Sequence, residues 1–347
     1  MKQKLVTIII VNWNGLHHLK KCLPSLYKQN YKKIEIILVD NASTDESVVW
    51  TKKNFSKIKI IKNSKNLGFA QGNNVGYKIA SGEYILFLNN DTKVSKNFLK
   101  ELLKVLSSDP KIGGAQSKIL FMDSPSQLDS AGSYMTYTGF LYHLGIYQNP
   151  KNFKKQFEIF SAKGACMIFK KKVIDKILID GNIFDSRFFA YFEETDFCHR
   201  VWLSGYKIVF APKSIIYHKF GATSILLAKP FIEYHSYKNR INSYIKNLSL
   251  KNLLIILPIH ILACEFLSLI FILRNKFHVF LAIQKAFFWN IINLPKTIAI
   301  RFYIQNKIRK VEDHIFFHKI MHNPEFDYYL SAVKGWNITQ ITKKNEK

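Results

Sequence analysis

Short apolar runs alternate with amphipathic stretches through the first ninety residues. Residues 5–11 predict a strand, and residues 16–28 predict a helix with Pro24 inside its pattern. Residues 34–39 predict the next strand, which ends at Asp40. Residues 41–45 carry cap-type side chains and lead into a helix to about Lys53. Residues 58–61 predict a short strand, 72–80 a helix and 84–88 a strand. Strands that alternate with helices predict a parallel sheet with helices on both faces. No G-x-G-x-x-G loop follows the first strand, which excludes an ordinary dinucleotide fingerprint. Residues 112–147 are irregular and rich in Gly, Ser and Tyr. Residues 164–169 predict a strand, with 170–172 leading into a helix, and 206–210 and 215–217 predict two further short strands. No internal repeat is visible.

The character of the chain changes after Tyr234. Residues 252–273 form a run of 22 residues between Lys251 and Arg274. Crossing a bilayer takes ~20 apolar residues, so the length suffices. Pro258, His260 and Glu265 argue against a clean span. Residues 277–304 stay aromatic and aliphatic but carry Lys285, Lys296 and Arg301, the pattern of helices lying in the headgroup plane. The expected division is an α/β domain over 1–234 and a helical, basic, membrane-associating extension over 235–347. Trimming after about Tyr234 is expected to release the protein from membranes.

Charge narrows the partners. Lys+Arg is 51 against Asp+Glu 24, a formal net charge of +27. Such a surface attracts nucleic acid, anionic lipid or phosphorylated substrates. The aromatic residues cluster in apolar runs instead of interleaving with basic ones, so no nucleic-acid partner is expected. Cys22, Cys166, Cys198 and Cys264 form no Cys-x-x-Cys pair and suggest a reducing cytosolic setting. The first apolar run breaks at Asn12-Trp13-Asn14-Gly15 with no small-residue cleavage site after it, so export is not expected.

Candidate chemistry gathers where strands end. Residues 84–88 run into Asn89-Asn90-Asp91. A buried strand that delivers a carboxylate to the carboxyl edge of a sheet puts it where open α/β sheets bind ligands, so Asp91 is a candidate for a metal-bound phosphate. A plain strand-to-turn junction is the alternative. Asp40 follows a strand directly and suits a base N–H or ribose hydroxyl, or else a helix cap. Residues 68–76 set Gly68, Gly72 and Gly76 at a helix start, which admits phosphate or merely close packing. Glu193, Glu194 and Asp196 crowd three carboxylates into four residues behind the aromatic stretch 188–192. Mutual repulsion raises carboxyl pKa values and suits a general base, with a solvated acidic turn as the alternative. His218 follows a short strand and is either structural or a metal ligand.

In this order the motifs resemble the family 2 glycosyltransferases, and within them the rhamnosyltransferase-like branch. They are residues 6–15, 37–45, Asn66-Leu67-Gly68-Phe69-Ala70, Leu88-Asn89-Asn90-Asp91-Thr92, 164–168, Phe184-Asp185, 189–198 and His218. The resemblance covers about residues 4–225. It implies a GT-A fold, a Rossmann-like mixed sheet with helices on both faces. The nucleotide-sugar half would be about 1–110 and the acceptor half about 111–234. It implies an inverting transferase that uses a nucleotide-diphosphate sugar, dTDP-rhamnose or a UDP-sugar, with Mg²⁺ or Mn²⁺. The acceptor would be a lipid-linked oligosaccharide or polysaccharide precursor at the cytoplasmic, anionic face of the cell membrane. Asn12, Asp40, Asn66, Gly68, Asn73, Asn89 and Asn90 would contact the donor. Asp91 and His218 would hold the metal. Glu194 would be the base, with Glu193 and Asp196 as second choices. Two departures stand out. Asn89-Asn90-Asp91 has one carboxylate where some members have two or three, which implies metal binding that depends on the nucleotide. Glu194 stands where Asp is usual and reaches one methylene further. A nucleotide-sugar nucleotidyltransferase or a polyanion-binding protein would be the alternatives. The former would need a basic Gly-rich loop where Asn12-Trp13-Asn14-Gly15 stands.

Overall fold

The fold is that of a computed structural model, which describes residues 3–221, 227–322 and 324. The chain runs β1 (Val6–Asn12), α1 (Leu16–Lys28), β2 (Ile34–Asp40), α2 (Ser47–Asn54), β3 (Lys59–Lys62), α3 (Gly68–Lys78), β4 (Tyr84–Leu88), β5 (Thr92–Val94) and α4 (Phe98–Ser108). It continues β6 (Ile112–Phe121), β7 (Leu128–Ser130), β8 (Ser133–Met135), β9 (Leu141–His143), β10 (Phe157–Glu158), β11 (Cys166–Lys170), α5 (Lys171–Ile174), α6 (Glu193–Leu203) and β12 (Lys207–His218). The C-terminal part is helical: α7 (Lys229–Asn247), α8 (Leu250–Leu273), α9 (Phe277–Ile292), α10 (Leu294–Tyr303), a π-helical turn at Ile304–Ile308, and α11 (Asp313–Ile320).

The main sheet has the order β10-β12-β6-β11-β4-β1-β2-β3, with β5 on β12 and β7 on β6. Strands β3, β2, β1 and β4 are parallel, and β11 enters antiparallel between β4 and β6. The sheet is therefore mixed and Rossmann-like, as the resemblance implies. Side chains on successive strand residues point to opposite faces. Ile8 and Ile10 of β1 pack with Leu19, Leu23 and Leu26 of α1 and Leu99 and Leu102 of α4. Ile9 lies in the other core with Ala70 and Tyr77 of α3. Each such buried aliphatic side chain contributes roughly 1.5–3 kcal/mol.

Three expectations need correction. Residues 112–121 are a strand whose ten residues are all buried. Its Gly113-Gly114-Ala115-Gln116-Ser117 segment lacks the branched and aromatic residues that mark strands. A β-carbon on Gly114 would overlap the Phe169 ring, so packing demands the residue that erased the signal. The two short strands at 206–217 are one strand, β12, with a register shift between Ala211 and Ile215 that spans Pro212.

The third concerns the boundary at 234, which falls inside α7. Tyr244, Leu248, Ile256, Ile300, Ile304, Phe316 and Ile320 share one core with Phe197, Val201 and Trp202 of α6. A cut there would strip that core, so it does not isolate membrane binding. On α8, Ile256, His260, Cys264 and Ser268 form a buried face at helical spacing. Leu254, Ile255, Ile259, Leu262, Phe266 and Leu269 are exposed. By length and composition α8 could cross a membrane, and α9 meets the helix after it at a 63° bend.

Candidate active site

The parallel pairing of β1, β2 and β4 sets their carboxyl ends side by side, with Asn12 in register with Asp40. Asn12 is fully buried and ties the three ends together. Its Nδ2 donates to Asp40 Oδ1 (3.4 Å) and Ser47 Oγ (3.0 Å), and its Oδ1 accepts from Asn90 Nδ2 (2.8 Å). Asp40 Oδ2 accepts the Ser43 N–H (3.1 Å), while Asp45, not Asp40, takes the Ser47 N–H at the start of α2 (3.1 Å). Asn66 Oδ1 accepts from the Gly68 N–H (2.9 Å) and from Asn41 Nδ2 (3.2 Å). Asn41 was not anticipated; it also bonds the Gly68 carbonyl at 3.0 Å.

The start of α3 differs from the phosphate-binding expectation. Gly68 has φ +75°, and a β-carbon there would overlap the Phe189 carbonyl. The Ala70 N–H donates to that same carbonyl at 3.3 Å. The glycine thus lets the chain before α6 lie against α3. Asn73 Nδ2 turns back to the Phe69 carbonyl one helical turn away (2.9 Å).

Asp91 and His218 are 127 residues apart in sequence but meet because β5 pairs with β12, with Thr92 opposite His218. His218 Nε2 lies 3.4 Å from Asp91 Oδ1, and Oδ1 is buried without a hydrogen bond. A buried carboxylate oxygen without a partner is costly, and a cation would answer it. Among the described residues no three His, Cys, Asp or Glu side chains are grouped to hold an ion. Asp91 and His218 would thus supply at most two of the ligands of a divalent ion. His218 Nδ1 bonds Asp129 Oδ2 at 2.7 Å, and Asp129 Oδ1 pairs with Lys163 Nζ at 2.5 Å. That carboxylate–imidazole contact orients the ring. Burial works to lower the His218 pKa, but the hydrogen bond to Asp129 and the charge of Asp91 beside Nε2 outweigh it and raise it. Burial works to raise Asp129, yet Lys163 and His218 hold it down at about 2. Asp129 was missed because it lies in the stretch read as irregular. Lys163 precedes Gly164, where only its adjacency to a motif could have marked it.

The acidic patch is the first turn of α6. Glu193 is buried, and burial together with Glu194 pushes its carboxyl well up. Glu194 is half-buried, and burial raises its pKa against backbone amides and the charge of Lys163. Asp196 behaves differently. Burial would raise it, but Lys246 (3.1 Å) and Arg200 (3.5 Å) hold it below the usual carboxylate range, and Asn247 Nδ2 donates to it at 2.8 Å. It is fully buried and ion-paired, so it is not an alternative base. Asp185 joins the same network through Arg187 (2.6 Å) and Lys246 (2.6 Å). Tyr191 and Phe192, just before Glu193, have φ of 69° and 70°. Such left-handed backbone costs on the order of 1–2 kcal/mol per residue with a β-carbon.

Comparison with known proteins agrees with this architecture. Residues 7–178 match the family described as Glycosyl transferase family 2, so the chain carries a domain of that family. It is 26% identical over 231 residues to the glycosyltransferase GlyA of Streptococcus pneumoniae, covering 63% of this chain and 31% of that protein. It is 40% identical over 98 residues to WfaP of Escherichia coli, a UDP-Glc:alpha-D-GlcNAc-diphosphoundecaprenol beta-1,3-glucosyltransferase, covering 26% of this chain and 39% of that protein. The chain thus spans less than half the length of these two relatives. Among solved structures it resembles S. aureus TarS 1-349 in complex with UDP-GlcNAc, at TM-score 0.55 and 19% identity over 88% of each chain. It also resembles the mannosyltransferase PcManGT of Pyrobaculum calidifontis with GDP-Man and Mn²⁺, at TM-score 0.54 and 16% identity, covering 97% of this chain and 88% of that one. The fold is that of GT-A proteins.

Proposed function

We propose that the glycosyl transferase family 2 domain of this chain moves a sugar from a nucleoside-diphosphate sugar to a hydroxyl of a lipid-linked oligosaccharide or polysaccharide precursor, with inversion at the anomeric carbon. One observation carries the reading: a chain of contacts runs from a metal-type pair to Lys163, whose charge acts on the raised carboxyl of Glu194. Asp91 meets His218, His218 meets Asp129, Asp129 meets Lys163, and the charge of Lys163 reaches Glu194. A nucleoside-diphosphate sugar needs both ends of that chain, a cationic site for the departing diphosphate and a base for the incoming hydroxyl.

Asp91 and His218 would hold Mg²⁺ or Mn²⁺ with the diphosphate. Bound there, the ion supplies electrophilic stabilisation of the negative charge that develops on the leaving group. Asp40, with Asn12 behind it, would accept from the base or ribose, and Asn89 and Asn90 would line the same edge. Glu194 takes the acceptor hydroxyl proton as that oxygen bonds the anomeric carbon and the carbon–diphosphate bond breaks. Its raised pKa brings it closer to neutrality, where a base is most effective. The buried Phe188 and Phe192 rings keep the surroundings of low polarity, and Glu193 is the second choice of base. A UDP-sugar is the favoured donor, since the names of WfaP and the TarS complex carry UDP-Glc and UDP-GlcNAc. dTDP-rhamnose rests on the branch resemblance alone. WfaP's diphosphoundecaprenol acceptor supports a lipid-linked one here.

The membrane part of the proposal is a monotopic attachment at the cytoplasmic face. The exposed apolar row of α8 supports it, flanked by Lys251, Arg274 and Lys276. His260 Nδ1, midway along α8, bonds the Thr138 carbonyl at 2.8 Å. A helix docked at its midpoint on the α/β domain suits an in-plane position better than a crossing.

The test is nucleotide release from UDP-, dTDP- and GDP-sugars with Mn²⁺ or Mg²⁺ and a native lipid extract. Wild type is assayed beside Asp91→Ala and Glu194→Gln. Release with one donor, abolished in both variants, is expected. Full release by Glu194→Gln would remove it as base.

A further inference from the structure

The turn that delivers Glu194 is held from outside the residues matched to the family. Among the described residues, Tyr191 and Phe192 are the one adjacent pair of non-glycine residues with positive φ. Backbone of this kind persists only where the surroundings over-determine it. Asn239, fully buried in α7, supplies that hold. Its Nδ2 donates to both the Ala190 carbonyl (2.9 Å) and the Tyr191 carbonyl (2.6 Å). Two acceptors on one side also fix the amide's orientation, because a flipped amide would set its oxygen against both carbonyls. Around this point α7 packs the Phe192 ring, edge-on against Tyr244 at 5.7 Å and under the Arg240 guanidinium at 5.3 Å. Two turns further along α7, Lys246 and Asn247 bind Asp196. α7 therefore grips the chain on both sides of Glu194.

We infer that Asn239 is a positioning residue for the base. Its two hydrogen bonds keep the Tyr191–Phe192 turn left-handed and so aim the Glu194 carboxylate at the acceptor hydroxyl. The inference rests on Glu194 being the base. Without the two bonds the turn relaxes to negative φ and the first turn of α6 shifts with it. A misplacement of about 1 Å can reduce a rate by about 10²-fold. Asn12 and Asp40, proposed for the donor, stand on β1 and β2, which these variants leave unchanged.

The experiment compares wild type, Asn239→Ala, Asn239→Asp and the double variant Asn239→Asp with Tyr191→Gly. Asn239→Asp keeps the size and removes the donors, and glycine accepts positive φ without the penalty of a β-carbon. Rates are nucleotide release from UDP-Glc with Mn²⁺ and the native lipid extract. UDP binding is measured by calorimetry, and amide hydrogen exchange is followed over α6. Both single variants should lose about 10²-fold in kcat, with the UDP-Glc KM and UDP affinity within about twofold of wild type. Exchange at the start of α6 should speed up. Tyr191→Gly should return about tenfold of the lost kcat and slow the exchange again. Full kcat in Asn239→Asp, unchanged exchange, or parallel loss of UDP affinity would overturn the inference. So would an absence of recovery in the double variant. Glu194→Gln separates the failures: if it retains activity the base assignment falls, whereas an inactive Glu194→Gln beside a fully active Asn239→Asp sinks the positioning role alone.

Discussion

Replacing Lys246 by Met should be among the most destabilising single changes in the chain. Lys246 Nζ is fully buried, 2.6 Å from Asp185 Oδ2 and 3.1 Å from Asp196 Oδ1, and both carboxylates are buried too. Methionine keeps the volume and deletes the charge. Removing one partner of a buried ion pair costs about 3–5 kcal/mol, because the other charge is left uncompensated. Here each carboxylate keeps a second partner: Asp185 retains Arg187, and Asp196 retains Asn247 with Arg200 further off at 3.5 Å. The lower end, about 3 kcal/mol, is therefore expected. The pH dependence carries a sign. Burial opposes ionisation of both aspartates, but Lys246 leads the interactions that hold both below the usual range. A depressed carboxyl contributes stability that is present above its unfolded value, ~3.9, and is lost as pH falls below it. The gap between wild type and variant should be full at pH 7 and narrow below about pH 4. Urea unfolding of the full chain, followed by far-UV circular dichroism, reads it as a midpoint drop of roughly 1 M at a slope of ~3 kcal/mol/M. A loss below about 1 kcal/mol at pH 7, or one that stays constant down to pH 3, would refute the reasoning.

Other outcomes are equally specific. Asp129→Asn should weaken Mn²⁺ binding in the presence of UDP by about 10–100-fold, read by calorimetry; unchanged affinity would separate Asp129 and His218 from the metal. Gly68→Ala forces a β-carbon at φ +75° into the Phe189 carbonyl and should cost about 2 kcal/mol or more in thermal unfolding. The kcat of wild type should fall as pH drops through a carboxyl pKa above the ordinary ~4.3 of glutamate, and Glu194→Asp should retain such a limb at reduced rate. Leu262→Glu with Phe266→Glu breaks the exposed row of α8 and should abolish sedimentation with anionic vesicles while far-UV circular dichroism stays unchanged.

The site was legible where chemistry sits at the end of a strongly patterned strand. Asp40 and Asp91 announce themselves because apolar runs stop at them, and Glu194 because three carboxylates crowd together behind aromatics. Asp129 and Lys163 were invisible, since one lies in a stretch without periodicity and the other is a single lysine among many. Asp196, buried and ion-paired, shows how a neighbouring carboxylate misleads. A polar residue near a motif looks the same in sequence whether it faces a substrate, bonds its own helix or answers a buried lysine.

From the sequence alone came the alternation of strands and helices, the Rossmann-like half and the carboxylates at strand ends, because these depend on neighbours within a few residues and on side-chain period. Tertiary structure alone decided that His218 returns to Asp91 through the β5–β12 pairing. It also decided that Gly114 sits under Phe169, and that α7 and the C-terminal helices complete the core around Glu194. These contacts join residues far apart in the chain, and local pattern carries no record of which distant surface a side chain will meet.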